Sequence, residues 1–280
     1  PEVLRQLGDM GLGAIPVDQF ESMLGQFQAM MNAPDEGPVS ESVVTDVARK
    51  LVSAAGDSSM GERERRLAAE AGHVADLWLG AVTGLEAPGL AGVAWSRSEW
   101  IEGTVDVWRE LVAPVGEGVT GALGGAIAAQ FANADLDALP PGLVPPGTNP
   151  AVVMGQLEPM LRRAGSSMFS MQVGQGLAAL AGETLTGTEV SLPLTPDGLL
   201  VLVPSNIAAF AEGLEIDLDE VWLYLAVREA ARLRLFDGAP WLGPQLLTAV
   251  QDYARGIELD TEGIESAMTG IDPTDPEAMQ

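Results

Sequence analysis

The residues most able to do chemistry in this sequence lie between Asp217 and Phe236. The seven residues from Val221 to Val227 are all apolar, a pattern that predicts a buried helix. Three ionisable residues, Arg228, Glu229 and Arg232, then follow within about one helical turn. Because unpaired charge is costly inside a protein, these three side chains need either charged partners or a function.

The spacing of the three residues matches a known metal-binding frame. Arg228 and Arg232 are four positions apart, so they share one face of a helix. In the His-Glu-x-x-His motif of zinc proteases, two imidazoles on such a face bind the metal and the Glu polarises its water. The frame here is Arg-Glu-x-x-Arg. It keeps the candidate catalytic residue, Glu229, and lacks both metal ligands.

Stretches on both sides of this frame carry a family resemblance. They are Asp-Glu-Val-Trp-Leu-Tyr-Leu-Ala-Val at 219–227, Leu-Phe-Asp-Gly-Ala-Pro-Trp-Leu at 235–242, Arg-Ser-Glu-Trp-Ile-Glu-Gly-Thr at 97–104 and Val-Trp-Arg-Glu-Leu-Val-Ala-Pro at 107–114. The chain resembles a mostly actinobacterial family of hydrolases described as zincin-like metallopeptidases, whose activity is largely uncharacterised. The resemblance covers most of the chain from about Leu77 onward.

The resemblance implies a zinc cofactor and a peptidase-like hydrolase. An active member would carry His at positions 228 and 232, and a further metal ligand in a later helix. This chain has Arg at both positions, and no such later ligand is found up to Gln280. We therefore expect no zinc cofactor here and a catalytically inactive member, a pseudoenzyme.

Two interpretations of the arginine pair remain open. In the first, Arg228 and Arg232 form an internal ion-pair network with Glu229 and with carboxylates from other segments. In the second, the two arginines bind a peptide or another anionic ligand, such as a carboxylate or phosphate, in a vestigial cleft. The sequence identifies no particular partner.

Composition narrows the classes of function. Forty acidic against fourteen basic residues give a net charge of −26, which disfavours nucleic acid and anionic membranes as partners. The chain has no Cys and a single His, His73, so thiol catalysis and a histidine-rich metal site are excluded. No apolar run is long enough for a membrane span and no signal peptide opens the chain, so we expect a cytoplasmic protein. A helical interaction or scaffold protein with an acidic surface is the competing class.

The hydrophobic periodicity predicts a mainly α protein, a multi-helix zincin-like domain with a small β-hairpin or short sheet before the motif helix. Helices are predicted at 16–33, 40–55, 61–82 and 241–256, with Ser40 as the N-cap of the second, and Asp217 or Asp219 is the predicted N-cap of the motif helix. A strand is predicted at 198–203 with Leu192–Leu194 as its short partner. In a zincin such a strand holds an extended peptide by strand addition. Proline-rich sequence near residue 140 predicts an amino-terminal helical region at 1–140 and a zincin-like region at 141–280, unless the two form one continuous domain.

Overall fold

A computed structural model of the chain describes residues 37–85, 89, 91–133, 150–196 and 199–257. These residues form a mainly helical protein with a short sheet before the motif helix, which confirms the predicted fold class. The elements in chain order are α1 (Glu41–Ala54), α2 (Glu62–Val82), β1 (Ala91–Ala94), α3 (Arg97–Asn133), α4 (Pro150–Glu183), β2 (Leu199–Leu202), α5 (Pro204–Ala211), α6 (Leu218–Gly238) and α7 (Leu242–Arg255). The predicted helix at 16–33 and the predicted boundary near residue 140 lie outside the described residues, so both stay predictions.

Several helix ends follow from local sequence chemistry. The predicted helix at 40–55 is α1, and the Ser40 side chain caps it by accepting a hydrogen bond from the amide of Val43. Helix α3 begins with a reciprocal capping box: the amide of Glu99 donates to the Ser96 hydroxyl, and the amide of Ser96 donates to the Glu99 carboxylate. None of the helices in the described part of the chain has the length and hydropathy that a membrane crossing requires.

The sheet consists of two parallel strands, with Ala91 opposite Leu199 and Ala94 opposite Leu202. The predicted partner of β2, Leu192–Leu194, was therefore wrong. That segment forms a tight turn instead, in which the amide of Leu194 donates to the carbonyl of Leu192. A parallel pair needs a long crossover, and here α3 and α4 belong to the connection between the two strands.

Strand β2 lies at the centre of the hydrophobic core. Successive side chains of a strand point to opposite faces, so Leu200 and Leu202 contact one core, built mainly by α2 and α6. Val201 and Val203 contact a second core, built mainly by α1, α3 and α4. All four side chains are fully buried. This double burial explains why the strand sequence is continuously apolar rather than alternating.

The motif helix α6 packs against α2 and β2, but it is not buried on all sides. Tyr224 is 61% exposed, so the prediction that the apolar run avoids water on every side was wrong. Asp217 occupies the predicted N-cap position, yet its side chain makes no capping hydrogen bond. The buried face of the apolar run consists of Val221, Trp222, Leu225 and Ala226.

Helix α2 and strand β1 approach each other so closely that only glycine fits between them. A Cβ placed on Gly92 would lie 2.1 Å from the carbonyl oxygen of Ala68, and one on Gly72 would lie 2.9 Å from the Cα of Gly92. Both obstacles are backbone atoms, which cannot move away by changing rotamer. The close contact therefore fixes the position of α2 beside the sheet.

We expect Gly92→Ala to lower the free energy of unfolding by about 1–3 kcal/mol because it overpacks this contact. Gly121→Ala is the matched control, since a Cβ at Gly121 in α3 meets no atom within 4 Å. That control should raise stability by about 0.5–1 kcal/mol through better helix propensity. Urea denaturation of both variants measures the difference, and equal effects would contradict the close contact.

Candidate functional site

The three motif residues lie on α6 and are largely shielded from water. Glu229 is 0% exposed, and the side chains of Arg228 and Arg232 are 28% and 24% exposed. Their polar partners come from one short segment, Thr184–Glu189, which follows α4. All three predicted site residues therefore lie together on α6, and all three contact the same segment, which we call the facing segment (Thr184–Glu189).

This facing segment is hydrogen-bonded to the β2 segment around Thr186 and then turns at residues 187–190. The amide of Val203 donates to the carbonyl of Leu185 at 3.0 Å, and the amide of Gly187 donates to the carbonyl of Val201 at 3.1 Å. Thr186 thus forms an antiparallel bridge with Leu202 of β2. The turn after Thr186, in which the amide of Ser191 donates to the carbonyl of Thr188 at 2.8 Å, places Thr188 against the motif helix.

Glu229 has a donor for each of its two carboxylate oxygens. The amide of Thr188 donates to Oε1 at 2.8 Å, and the Thr188 hydroxyl donates to Oε2 at 2.6 Å. Gly187 permits this approach, because a Cβ there would lie 3.2 Å from Oε1 and only 2.6 Å from the Cγ2 of Thr195. The carboxylate is thus fixed by its neighbours within the chain.

Burial raises the pKa of Glu229 above its ordinary value, because desolvation disfavours the charged carboxylate. Hydrogen bonds from the hydroxyls of Thr188 and Thr186, the amide of Thr188 and the positive charge of Arg232 all act in the opposite direction. The desolvation effect is the largest of these. Glu229 is consequently a buried acid whose charge depends on every one of these donors.

The two arginines are directed at the same segment. Arg228 pairs with Glu189, which also accepts a hydrogen bond of 3.1 Å from the Thr186 hydroxyl. Arg232 donates through Nη1 to the carbonyl of Thr188 at 3.1 Å, and the same nitrogen lies 3.8 Å from Oε2 of Glu229. Two guanidiniums and two carboxyl groups therefore form one cluster, which we call the Arg-Glu cluster (Arg228, Arg232, Glu189 and Glu229).

Sequence reasoning found the α6 half of this cluster and missed its other half. Thr186, Thr188 and Glu189 lie about 40 residues before the motif, and no local pattern links the two stretches. One signal was present: three threonines, Thr184, Thr186 and Thr188, lie within five residues, and their hydroxyls are donors that a buried carboxylate can use. All three threonines are buried.

A second buried ion pair, also missed, joins α6 to α2. Arg234 is only 1% exposed and donates through Nη2 to Oδ1 of Asp76 at 2.6 Å and to the Asp76 carbonyl at 2.7 Å. Its Nη1 donates to the carbonyl of Leu85 at 3.2 Å. Arg234 therefore extends the set of buried charges along α6 beyond the motif.

The comparison with known protein families agrees with the resemblance carried by the motif's flanks. A family model described as zincin-like metallopeptidase matches residues 39–280, and the chain belongs to this family. The search of curated proteins and the search of solved structures each returned no match.

The residues at the motif do not fit the zinc ion that the family implies. A guanidinium has no lone pair to offer a metal, and positions 228 and 232 both carry one. Both oxygens of Glu229 already accept hydrogen bonds from Thr188. Across the described ranges no three His, Cys, Asp or Glu side chains are grouped to hold a metal ion, and His73 is exposed on α2.

The raised pKa of Glu229 predicts a pH-dependent contribution to stability. In the window above the ordinary pKa of 4.5, the folded chain holds a proton on Glu229 that the unfolded chain has released, so stability falls as pH rises. We expect the free energy of unfolding of wild type minus that of Glu229→Gln to decrease as pH rises from about 4.5.

Urea denaturation of both proteins at several pH values measures this difference, in which titrations common to both cancel. Glu158→Gln, which removes an exposed carboxylate paired with Arg162 on α4, controls for the loss of one negative charge. A difference that stays constant or grows with pH would contradict the inferred direction of the pKa shift.

Proposed function

We propose that this chain is a non-catalytic zincin-like protein in which the Arg-Glu cluster takes the place of the metal centre. In this proposal the cluster joins α6 to the facing segment, and peptide hydrolysis by a metal-activated water is lost. The proposal rests on one observation above all: Glu229, the only family catalytic residue kept in the motif, is fully buried with both oxygens bonded to Thr188. A general base must instead reach the proton that it removes.

The sheet provides further support. A zincin strand that binds peptide by strand addition needs a free edge. Strand β2 is paired with β1 on one edge, while Val201 and Val203 of the same chain segment bond to Gly187 and Leu185 on the other. The chain's own facing segment thus lies where an added peptide strand would pair.

The arrangement of the arginines favours an internal role over the binding of an anion between them. Arg228 is paired with Glu189, and Arg232 donates to the carbonyl of Thr188 beside Glu229. Each guanidinium therefore already has an oxygen acceptor from the chain. The buried Nε of Arg228 has no acceptor among the described residues, but it is enclosed rather than open to a ligand.

The metal content of the purified 280-residue chain tests this proposal. After extensive dialysis without chelator, elemental mass spectrometry should find zinc far below one equivalent, with a zinc metalloprotease treated in parallel as the positive control. Peptide hydrolysis should be no faster with wild type plus added zinc than with Glu229→Gln. Stoichiometric zinc, or zinc-dependent hydrolysis that Glu229→Gln abolishes, would overturn the proposal.

Removal of one cation should also expose the structural role of the cluster. We expect Arg232→Met to lower the free energy of unfolding by about 1.5–3 kcal/mol, because the carbonyl of Thr188 loses a charged donor and the buried Glu229 loses a nearby positive charge. Arg162→Met, which breaks an exposed pair with Glu158, should cost less than about 1 kcal/mol. Urea denaturation at neutral pH measures both, and equal losses would mean that the cluster is not structural.

A further inference from the structure

A pocket of about 260 Å³ lies away from the Arg-Glu cluster, between α1, the start of α3 and the end of α4. Its walls are mainly apolar and include Leu51, Val52 and Ala55 of α1 together with Ala178 and Ala179 of α4. Gly182 and two polar residues, Arg97 and Gln175, complete the lining, and Arg97 is the charged one. A mostly apolar pocket with a small number of placed polar groups is the usual form of a small-molecule site.

Arg97 is held in position by a buried amide. Its Nε donates to Oδ1 of Asn206 at 2.8 Å, and its Nη1 donates to the carbonyl of Gly56 at 3.2 Å. Asn206 is itself buried, and its Nδ2 donates to the carbonyls of Ala181 and Thr184 at 2.8 and 2.6 Å. These two bonds fix which end of the amide faces Arg97, so the guanidinium is oriented before any ligand arrives.

The charge of Arg97 is not paired with a carboxylate, unlike the charges of other partly or fully buried arginines. Arg109, Arg228, Arg232 and Arg234 each lie within 4 Å of a carboxylate, whereas no such ion pair forms at Arg97 among the described residues. The oxygens of Asp57 instead accept from the backbone amides of Arg97 and Ser98, each at 3.0 Å. Within the described part of the chain, Nη2 of Arg97 has no acceptor.

We propose that this pocket binds a small monocarboxylate with an apolar body. The ligand's carboxylate accepts hydrogen bonds from the free side of the Arg97 guanidinium, a pairing that is stronger than a neutral hydrogen bond. Its apolar body lies against the walls formed by α1 and α4. The volume is below the roughly 300–1,000 Å³ of pockets for drug-sized ligands, which favours a short aliphatic or small aromatic acid.

The surroundings favour a single negative charge over several. The chain carries a net charge of −26, so its overall field opposes multiply charged anions such as phosphates. Apart from Arg97, the residues that line the pocket include no charged donor for additional anionic oxygens, and Gln175 is the one other polar side chain. One guanidinium with a fixed orientation matches one carboxylate.

Calorimetric titration of the full chain with octanoate and with octan-1-ol tests both parts of this proposal, since the two probes share an apolar body and differ in charge. We expect octanoate to bind at least about tenfold more tightly than the alcohol. Arg97→Met should weaken octanoate binding at least about tenfold, whereas Arg66→Met, which removes an exposed cation on α2, should leave it within about twofold.

A second variant blocks the pocket without touching Arg97. Gly182 of α4 lines the pocket, and a Cβ added there meets no atom within 4 Å. Gly182→Leu should therefore fold, as circular dichroism would verify, and should abolish octanoate binding. The proposal is overturned if wild type does not bind octanoate, if Arg97→Met binds it as wild type does, or if Gly182→Leu retains binding.

Discussion

The rest of the site depends on the two hydrogen bonds that Thr188 donates to Glu229. They give each oxygen of the buried Glu229 carboxyl group a hydrogen-bond donor. They also join the segment after α4 to the motif helix. Arg232 then donates to the carbonyl of the same threonine. Thr188 therefore donates to the carboxyl group of Glu229 and accepts from the guanidinium of Arg232. A buried polar network of this kind is stable only while it is fully satisfied, which constrains every residue around it.

The proposed exchange of a metal for arginines changes the nature of the link between elements. A zinc ion binds several ligands through one centre, whereas a guanidinium spreads its donors over a plane and pairs with separate acceptors. Arg228 and Arg232 accordingly contact different groups, Glu189 and Thr188. A link of this second kind is built from the chain's own side chains and backbone groups, so it forms in the folding step itself.

Local sequence predicted the helices well and the long-range contacts poorly. The cap at Ser40 and the period of α1 are properties of neighbouring residues, and the structure confirms both. Strand β1, Ala-Gly-Val-Ala, is short and made of small residues, so it carries no strand signal until β2 pairs with it. The charged frame on α6 indicated three candidate site residues, but Glu189 and Thr188 come into contact with them only through the fold. The orientation of the Arg97 side chain likewise depends on a hydrogen bond to Asn206, which lies 109 positions away in the sequence.

The alternation of Leu and Val along β2 has a consequence for how the protein unfolds. Because Leu200 and Leu202 complete one core while Val201 and Val203 complete the other, a slip of one residue would exchange large and small side chains between two cavities of different shape. The strand therefore has a single permitted alignment. The strand also couples the two cores, because neither core can unfold without removing from the other the strand that both share. Unfolding around β2 is therefore cooperative.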